Sequence, residues 1–205
     1  MTGPDRLTAL VGLVPAAEII VDVGADHARV ARRTGAIAVE RGPQIPRAAD
    51  VPWVLADGLR PFRRVDVAII AGMGARSIAA ILSAGPRPAV AVLHADDEPW
   101  TLRCWLKREG WRIEAERLGE QGGRLAELIR ATPGEEPSDG SRLELGPMLL
   151  VSDDPWLDAF LTDRMEMWRT VAALAGTHAP DRASEALRRA AHLEEVWIRR
   201  HGRAP

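Results

Sequence analysis

Across 205 residues the chain carries a single cysteine, Cys104, and no tyrosine. One thiol can neither close an intrachain disulfide nor supply a multi-thiolate metal site. It falls in the helical stretch 100–109 and reads as a small buried hydrophobe rather than a reactive thiol. Lysine is nearly absent as well: Lys107 stands alone among arginines, a bias that follows genome composition rather than function. No apolar run approaches the roughly 18 to 20 residues of a membrane helix. Nor does Met1-Thr2-Gly3-Pro4-Asp5-Arg6 lead a basic region into an apolar signal core, so no membrane association is expected and the cytoplasm is the expected location. A positive excess is missing too. The net charge of −2 excludes nucleic-acid binding through bulk charge and leaves any RNA contact to a local patch. The five histidines lack ligand spacing, so no metal site is expected.

What remains is the balance of an ordinary soluble protein, 46% hydrophobic and 27% charged. The length suits one α/β domain of roughly 150 residues with a small appendage. Within Val11–Val23 the first strand signal is Glu18-Ile19-Ile20-Val21-Asp22-Val23, followed by a helix near His27–Thr34 and a second strand over Ala36–Glu40. Strand, glycine turn, helix and strand in that order make a βαβ unit, hence a parallel sheet. Between Glu40 and Trp53 lie Gly42, Pro43, Pro46 and Pro52, which predicts an extended loop instead of a crossover helix. Further strands are expected at Trp53–Leu55, Val65–Ala71 and Ala89–His94, with helices near Ser77–Ser83 and Glu98–Glu109. Trp111–Leu118 and Arg124–Arg130, joined through Gly119, Gln121, Gly122 and Gly123, read as a hairpin.

A polar linker over Thr132–Ser141 precedes the expected domain boundary, giving domains 1–147 and 148–205. Beyond it, Trp156, Phe160, Met167 and Val171, then Leu187, Ala190, His192 and Trp197, recur at helical spacing around Gly176–Pro180. A pair of antiparallel helices follows. The fold class is therefore α/β, a Rossmann-like sheet with a C-terminal α-helical hairpin.

Chemistry concentrates at strand ends. Asp22-Val23-Gly24-Ala25-Asp26-His27 sits where an α/β sheet binds ligands, with a glycine for close backbone approach and a following helix N-terminus. An acid there can hold an ammonium group, which suits the amino-acid end of a methionine-derived cofactor better than a pyrophosphate, for which G-x-G-x-x-G is expected. A capped strand-to-helix turn without a ligand is the plainer alternative. Glu40 ends the second strand, where an acid commonly holds a ribose hydroxyl pair; Asp57-Gly58 ends the third, where a carboxylate can accept from an adenine amino group. Ala71-Gly72-Met73-Gly74 offers bare backbone to a flat base or a sulfonium. Trp100, Trp105 and Trp111 are read as packing residues.

Leu7–His27, Asp57-Gly58-Leu59, Ile70–Gly74, Leu102–Leu106 and Leu145-Gly146-Pro147 together resemble the bacterial tRNA adenine-N1 methyltransferases of the TrmK type. That resemblance implies a class I methyltransferase sheet with the C-terminal hairpin, S-adenosylmethionine as cofactor and N1 of adenine 22 in the tRNA D-arm as target. It assigns Asp22, Gly24, Asp26 and His27 to the first cofactor loop, Asp57, Gly58 and Leu59 to the adenine side, and Ala71 with Gly72, Met73 and Gly74 to the reaction loop. Arg76 and the arginines of the last helix (Arg182, Arg188, Arg189, Arg199, Arg200 and Arg203, with His192 and His201) are candidate tRNA contacts; interleaved Glu185, Glu194 and Glu195 equally suit a solvated face.

The chain departs from the family pattern in two regions. Val39-Glu40-Arg41-Gly42-Pro43-Gln44 is short, with Glu40 in the acid's place and no room for the usual helix. His94-Ala95-Asp96 replaces a Gln-Pro-Asn run, making His94 and Asp96 candidate contacts to the target base. A shortened crossover leaves a second reading open, a diverged non-catalytic module on the same fold that binds RNA or protein.

Overall fold

The computed structural model describes residues 3–42 and 50–202. Branched apolar runs make the strands: β1 (Ile20–Val23), β2 (Ile37–Glu40), β3 (Trp53–Leu55), β4 (Val67–Met73) and β5 (Val90–Ala95). They pair in parallel, and the antiparallel hairpin β6 (Trp111–Gln121) and β7 (Arg124–Pro133) completes a seven-stranded sheet ordered β3-β2-β1-β4-β5-β7-β6. Alternation within β4 shows how both faces are buried. Ala68 and Ile70 face a core with Ile78 and Leu82 of α3 (Ala75–Ala84) and Leu102 and Leu106 of α4 (Pro99–Arg108). Val67 and Ile69 face the other, with Leu10 of α1 (Arg6–Val11) and Ala31 of α2 (Arg29–Thr34). The Rossmann-like sheet expected from the sequence is therefore present.

Several boundaries moved for local reasons. Helix α1 was not foreseen; its signal is the Asp5 carboxylate, which accepts from the Thr8 amide at 3.0 Å and the Thr8 hydroxyl at 2.7 Å. Helix α2 starts at Arg29 rather than His27 because Asp26 and Ala28 hold positive φ. Strand β4 continues through Gly72 and Met73, residues expected in a loop, by means of a bulge between Ala71 and Met73. The polar stretch after β7 is not a free linker either: buried Glu136 accepts from the amides of Ile113 and Ser138, both at 2.8 Å, and α5 (Gly140–Leu145) follows. Residues 43–49, including Pro43, Gln44 and Pro46 of the expected extended loop, lie outside the described residues.

The chain divides into units Gly3–Ser152 and Asp153–Pro205. The division falls after Ser152 because Glu116 of β6 accepts from the amides of Met148 (2.9 Å) and Leu149 (3.3 Å), tying that segment to the sheet. The second unit is an antiparallel pair, α6 (Leu157–Ala175) and α7 (Pro180–His201), whose ends meet where Asp158 pairs with Arg200 and His201, each at 3.1 Å. The buried stripe of α7 runs through Ala186, Ala190 and Leu193, one position away from the expected Leu187, which is exposed.

A buried charge network holds the far half of the sheet. Arg103 of α4 is fully buried and pairs with Glu116 at 2.6 Å and Glu127 at 2.8 Å, while its Nη1 donates to the Glu144 carbonyl. These two carboxylates offset burial and keep the guanidinium charged. Removing one partner of such a set costs far more than the intact set contributes. Glu116→Gln is expected to lower unfolding free energy by about 3–5 kcal/mol in urea titrations; an unchanged midpoint would remove the network from the account.

Candidate functional site

Strand order reverses at β1, whose neighbours β2 and β4 lead away in opposite directions, and α/β sheets bind ligands at such a point. Val23, the last residue of β1, is level with Val39 of β2 and Ile70 of β4, so the chain turns out of β1 beside the last residues of both neighbours. Gly24 turns there with φ +72°, and its amide donates to the Val39 carbonyl at 2.9 Å. The turn needs glycine for its conformation; a Cβ there would stand 2.2 Å from Met73 Cε, the end of a flexible side chain that can swing aside.

Two clefts meet at Gly24. The first, about 500 Å³, is lined by Asp22, Asp26, His27, Ala71 and Gly72 on the sheet side. The second, about 390 Å³, takes in Glu40, Asp57, Gly58, Met73 and Ile81. The sequence-predicted residues thus separate into two groups flanking one glycine. Leu59 belongs to neither: its side chain is wholly inside the core, so it shapes the Asp57-Gly58 turn without facing a ligand.

Asp22 is the buried acid of the set. Its Oδ2 accepts from the Ala31 amide at 3.1 Å, anchoring α2 to the end of β1. Burial pushes its pKa up to about 7; the Ala31 hydrogen bond opposes this and the Glu40 charge adds to it. Asp26 and His27 are exposed and lie 3.4 Å apart. Glu40 accepts from the Asp26 amide, which closes the loop onto the end of β2. Asp57 is half-exposed between Arg60 at 3.2 Å and Arg41 at 3.8 Å, contacts loose enough to yield to a ligand.

On the reaction side, Gly74 lies outside both clefts and begins α3, whose Ala75 amide is capped by Asp97 at 2.7 Å. The Asp96 carboxylate is exposed and stands 3.9 Å from where a Gly72 Cβ would be, while its amide donates to the Met73 carbonyl. His94, expected to face the target base, is only 6% exposed and lines neither cleft. It is buried one residue before the end of β5, and its Nδ1 meets Arg6 at 3.2 Å and Asp96 Oδ1 at 3.5 Å. Burial, reinforced by the Arg6 charge, lowers its pKa despite the carboxylates of Asp96 and Glu127.

Sequence reasoning missed the outer wall of the first cleft, formed by Asp5, Arg6 and Leu7 with Glu120 and Gln121 of the hairpin tip. No local motif marks these residues; the Asp5 to Glu120 bridge that joins them spans most of the domain. Among the other candidates, Arg76 is exposed without an ion pair among the described residues. In α7, Arg188 and Arg189 are paired with Glu185, and Arg189 also lies over Trp168; Arg203 falls outside the described residues. Trp111 is core and Trp105 packs beside it, but Trp100 is 43% exposed. Burial raises the Cys104 thiol, which suits its packing role. No group of side chains that can hold a metal ion occurs among the described residues, and no helix there is long and apolar enough to cross a membrane.

The raised Asp22 carboxyl has a measurable consequence. Folded Asp22 holds its proton to about 7 against an ordinary 3.8, so between those values ionisation favours the unfolded chain and stability falls as pH rises. Asp22→Asn keeps an acceptor for Ala31 and removes this penalty. At about pH 8 the variant is expected to be more stable, by on the order of 4 kcal/mol at most, with the gain vanishing below about pH 4. Thermal melts across that range check it; a gain independent of pH would contradict the cause given.

Comparison with known proteins agrees with this geometry. The family model for tRNA (adenine(22)-N(1))-methyltransferase matches residues 47–195. A curated tRNA (adenine(22)-N(1))-methyltransferase of Bacillus subtilis (strain 168) is 27% identical over 170 residues, 70% of this chain and 71% of the relative. A Streptococcus pneumoniae protein, solved in complex with S-adenosyl-L-methionine, is 26% identical with a TM-score of 0.78, covering 93% of this chain and 97% of its own. The crystal structure of the B. subtilis M1A22 tRNA methyltransferase TrmK shares the fold at 21% identity and TM-score 0.77, over 94% and 97% of the two chains. With 149 consecutive positions inside the family model, and its glycine turn, strand-end acids and sheet order in place, the chain belongs to the tRNA (adenine(22)-N(1))-methyltransferase family.

Proposed function

We propose that this chain is an S-adenosylmethionine-dependent methyltransferase acting on N1 of adenine 22 in tRNA, with the cofactor laid across Gly24 from the first cleft into the second. The observation that carries the reading is the meeting of two clefts at that glycine, one with a buried acid and the other with two strand-end acids. An amino acid joined to a nucleoside requires that division. Asp22 would accept from the ammonium group, with the Gly24 and Ala25 backbone and the Asp26-His27 turn around the amino-acid end. Glu40 would accept from the ribose hydroxyls, and Asp57 beside Gly58 from the adenine amino group, after releasing its exposed arginine contacts. The acids around both halves fit the group's ammonium and hydroxyl donors, and the described walls of the second cleft persist despite the short crossover.

The cofactor supplies an electrophilic methyl group. Adenine N1 has an in-plane lone pair and loses no proton on attack, so the protein's work is alignment. Bare backbone at Ala71 and Gly72, with Met73 alongside, lets the base approach closely. Methylation turns the neutral base into a cation, and the Asp96 carboxylate over Gly72 is a fixed negative charge on that side. Arg76 and positions such as Arg182, which has no ion pair among the described residues, would contact tRNA phosphates, adding affinity that weakens with salt. Such an enzyme works in the cytoplasm, with the sheet unit as its catalytic part and the helical pair as an accessory domain.

Methyl transfer to tRNA transcripts tests the reading. Labelling is expected on transcripts with adenine at position 22 and lost when that base is replaced; equal labelling of both would reject the target. Asp96→Asn is expected to lower kcat by roughly 10- to 100-fold with little change in cofactor affinity, because the charge matters only as the base becomes cationic. An unchanged kcat would remove Asp96 from the reaction.

A further inference from the structure

Arg6 has no counterpart in the chemistry assigned so far. It opens α1, lines the first cleft, and is half-buried. Its backbone is pinned against the hairpin: the Glu120 amide donates to the Pro4 carbonyl at 3.2 Å, and a Cβ on Gly119 would come within 2.6 Å of Arg6 Cα. Its side chain is directed by His94. Arginine only donates, so Nδ1 of His94 accepts at 3.2 Å and the ring proton sits on Nε2. His94 is thus held as a neutral imidazole beneath a guanidinium.

That guanidinium has no carboxylate partner among the described residues. Of the acids around it, Asp5 is engaged with Thr8 at the start of α1, Glu120 with the Gly123 amide at 2.6 Å, and Asp96 stands 3.5 Å from His94 Nδ1 without an ion pair to the guanidinium. A cleft-lining arginine whose single described hydrogen bond goes to a neutral ring keeps most of its five N–H donors for an anion. Asp22 lines the same cleft and supplies the opposite charge. An α-amino acid group presents one ammonium and one carboxylate, and this cleft has one buried acid and one anchored guanidinium.

We propose that Arg6 binds the carboxylate of the cofactor's amino-acid end, with His94 as the positioning residue that aims it. This rests on the reading that the first cleft holds the amino-acid half of S-adenosylmethionine. Arg29 lines the same cleft but is exposed and has no described side-chain partner to fix it, so it would lose more freedom on binding. His94 thereby has a role away from the target base. It supplies a compact acceptor inside the sheet edge for an arginine arriving from the N-terminal helix.

Calorimetry on the full chain tests this with two probes, S-adenosylhomocysteine and its decarboxylated analogue, which keeps the ammonium and the nucleoside. The wild-type protein is expected to prefer S-adenosylhomocysteine by roughly 10- to 100-fold. Arg6→Gln is expected to bind the analogue as wild type does and to lose the preference. Arg29→Ala keeps the preference, His94→Leu weakens it, and His94→Gln, which retains an acceptor, restores part of it. Should R6Q fail to fold by circular dichroism, Arg6→Lys serves instead, with an intermediate preference expected. An undiminished preference in R6Q or R6K overturns the proposal, as does a loss of tRNA affinity with cofactor affinity intact, which would make Arg6 an RNA contact. Binding of neither probe by the wild-type protein overturns the cofactor reading itself, and this proposal with it; binding of both probes alike overturns the carboxylate contact alone.

Discussion

The level register of β1 with β2 on one side and β4 on the other is the constraint on which the site depends. Because Val23 is opposite both Val39 and Ile70, β1 ends beside the closing residues of its two neighbours. Gly24, Glu40 and Ala71 are consequently neighbours although they are far apart in sequence. A slip of one residue would reverse which side chains face the two cores, so the apolar alternation that buries β4 also fixes the site. The hydrogen bond from the Ala31 amide to Asp22 then locks α2 to this edge. It does so with a carboxyl that burial makes costly to ionise, a cost that a cationic group placed beside it would relieve.

How much could be read from the sequence follows from how local each signal is. The parallel strands, the hairpin and both C-terminal helices announce themselves through periodicity within a dozen residues, and the strand-end acids Asp22, Glu40 and Asp57 are visible as acids beside glycine or at the close of an apolar run. Helix α1 is too short to show a period, and its only marker is Asp5 three residues before Thr8. Leu59 and His94 were placed by their position next to motifs, but sequence adjacency does not determine which way a side chain points. Leu59 turns into the core, and His94 is buried near the end of a strand whose two faces are both covered. The wall made by Arg6 and the hairpin tip depends on pairing between residues near positions 5 and 120, and no local pattern encodes such a contact.

Charge is distributed according to the same geometry. Acids occupy the strand ends around Gly24, where positive or hydroxyl-bearing groups would be received. One anchored arginine stands across the first cleft, and another is sealed between α4, β6 and β7 with two glutamates. The sealed one is structural, since Arg103 is wholly buried and paired with Glu116 and Glu127 of its own domain. Arg6 differs in facing open space with a neutral partner. The helical pair spends several of its basic groups on Glu185 and Asp158, so its arginine content overstates what is free for RNA.

The central claim is that one cofactor molecule spans both clefts across Gly24. A crystal structure of the chain with S-adenosylhomocysteine tests it most directly. The account predicts the amino-acid group beside Asp22 and the adenosine between Glu40 and Asp57, with the sulfur near Gly72. Density confined to one cleft, or a nucleoside seated away from Glu40 and Asp57, would contradict it.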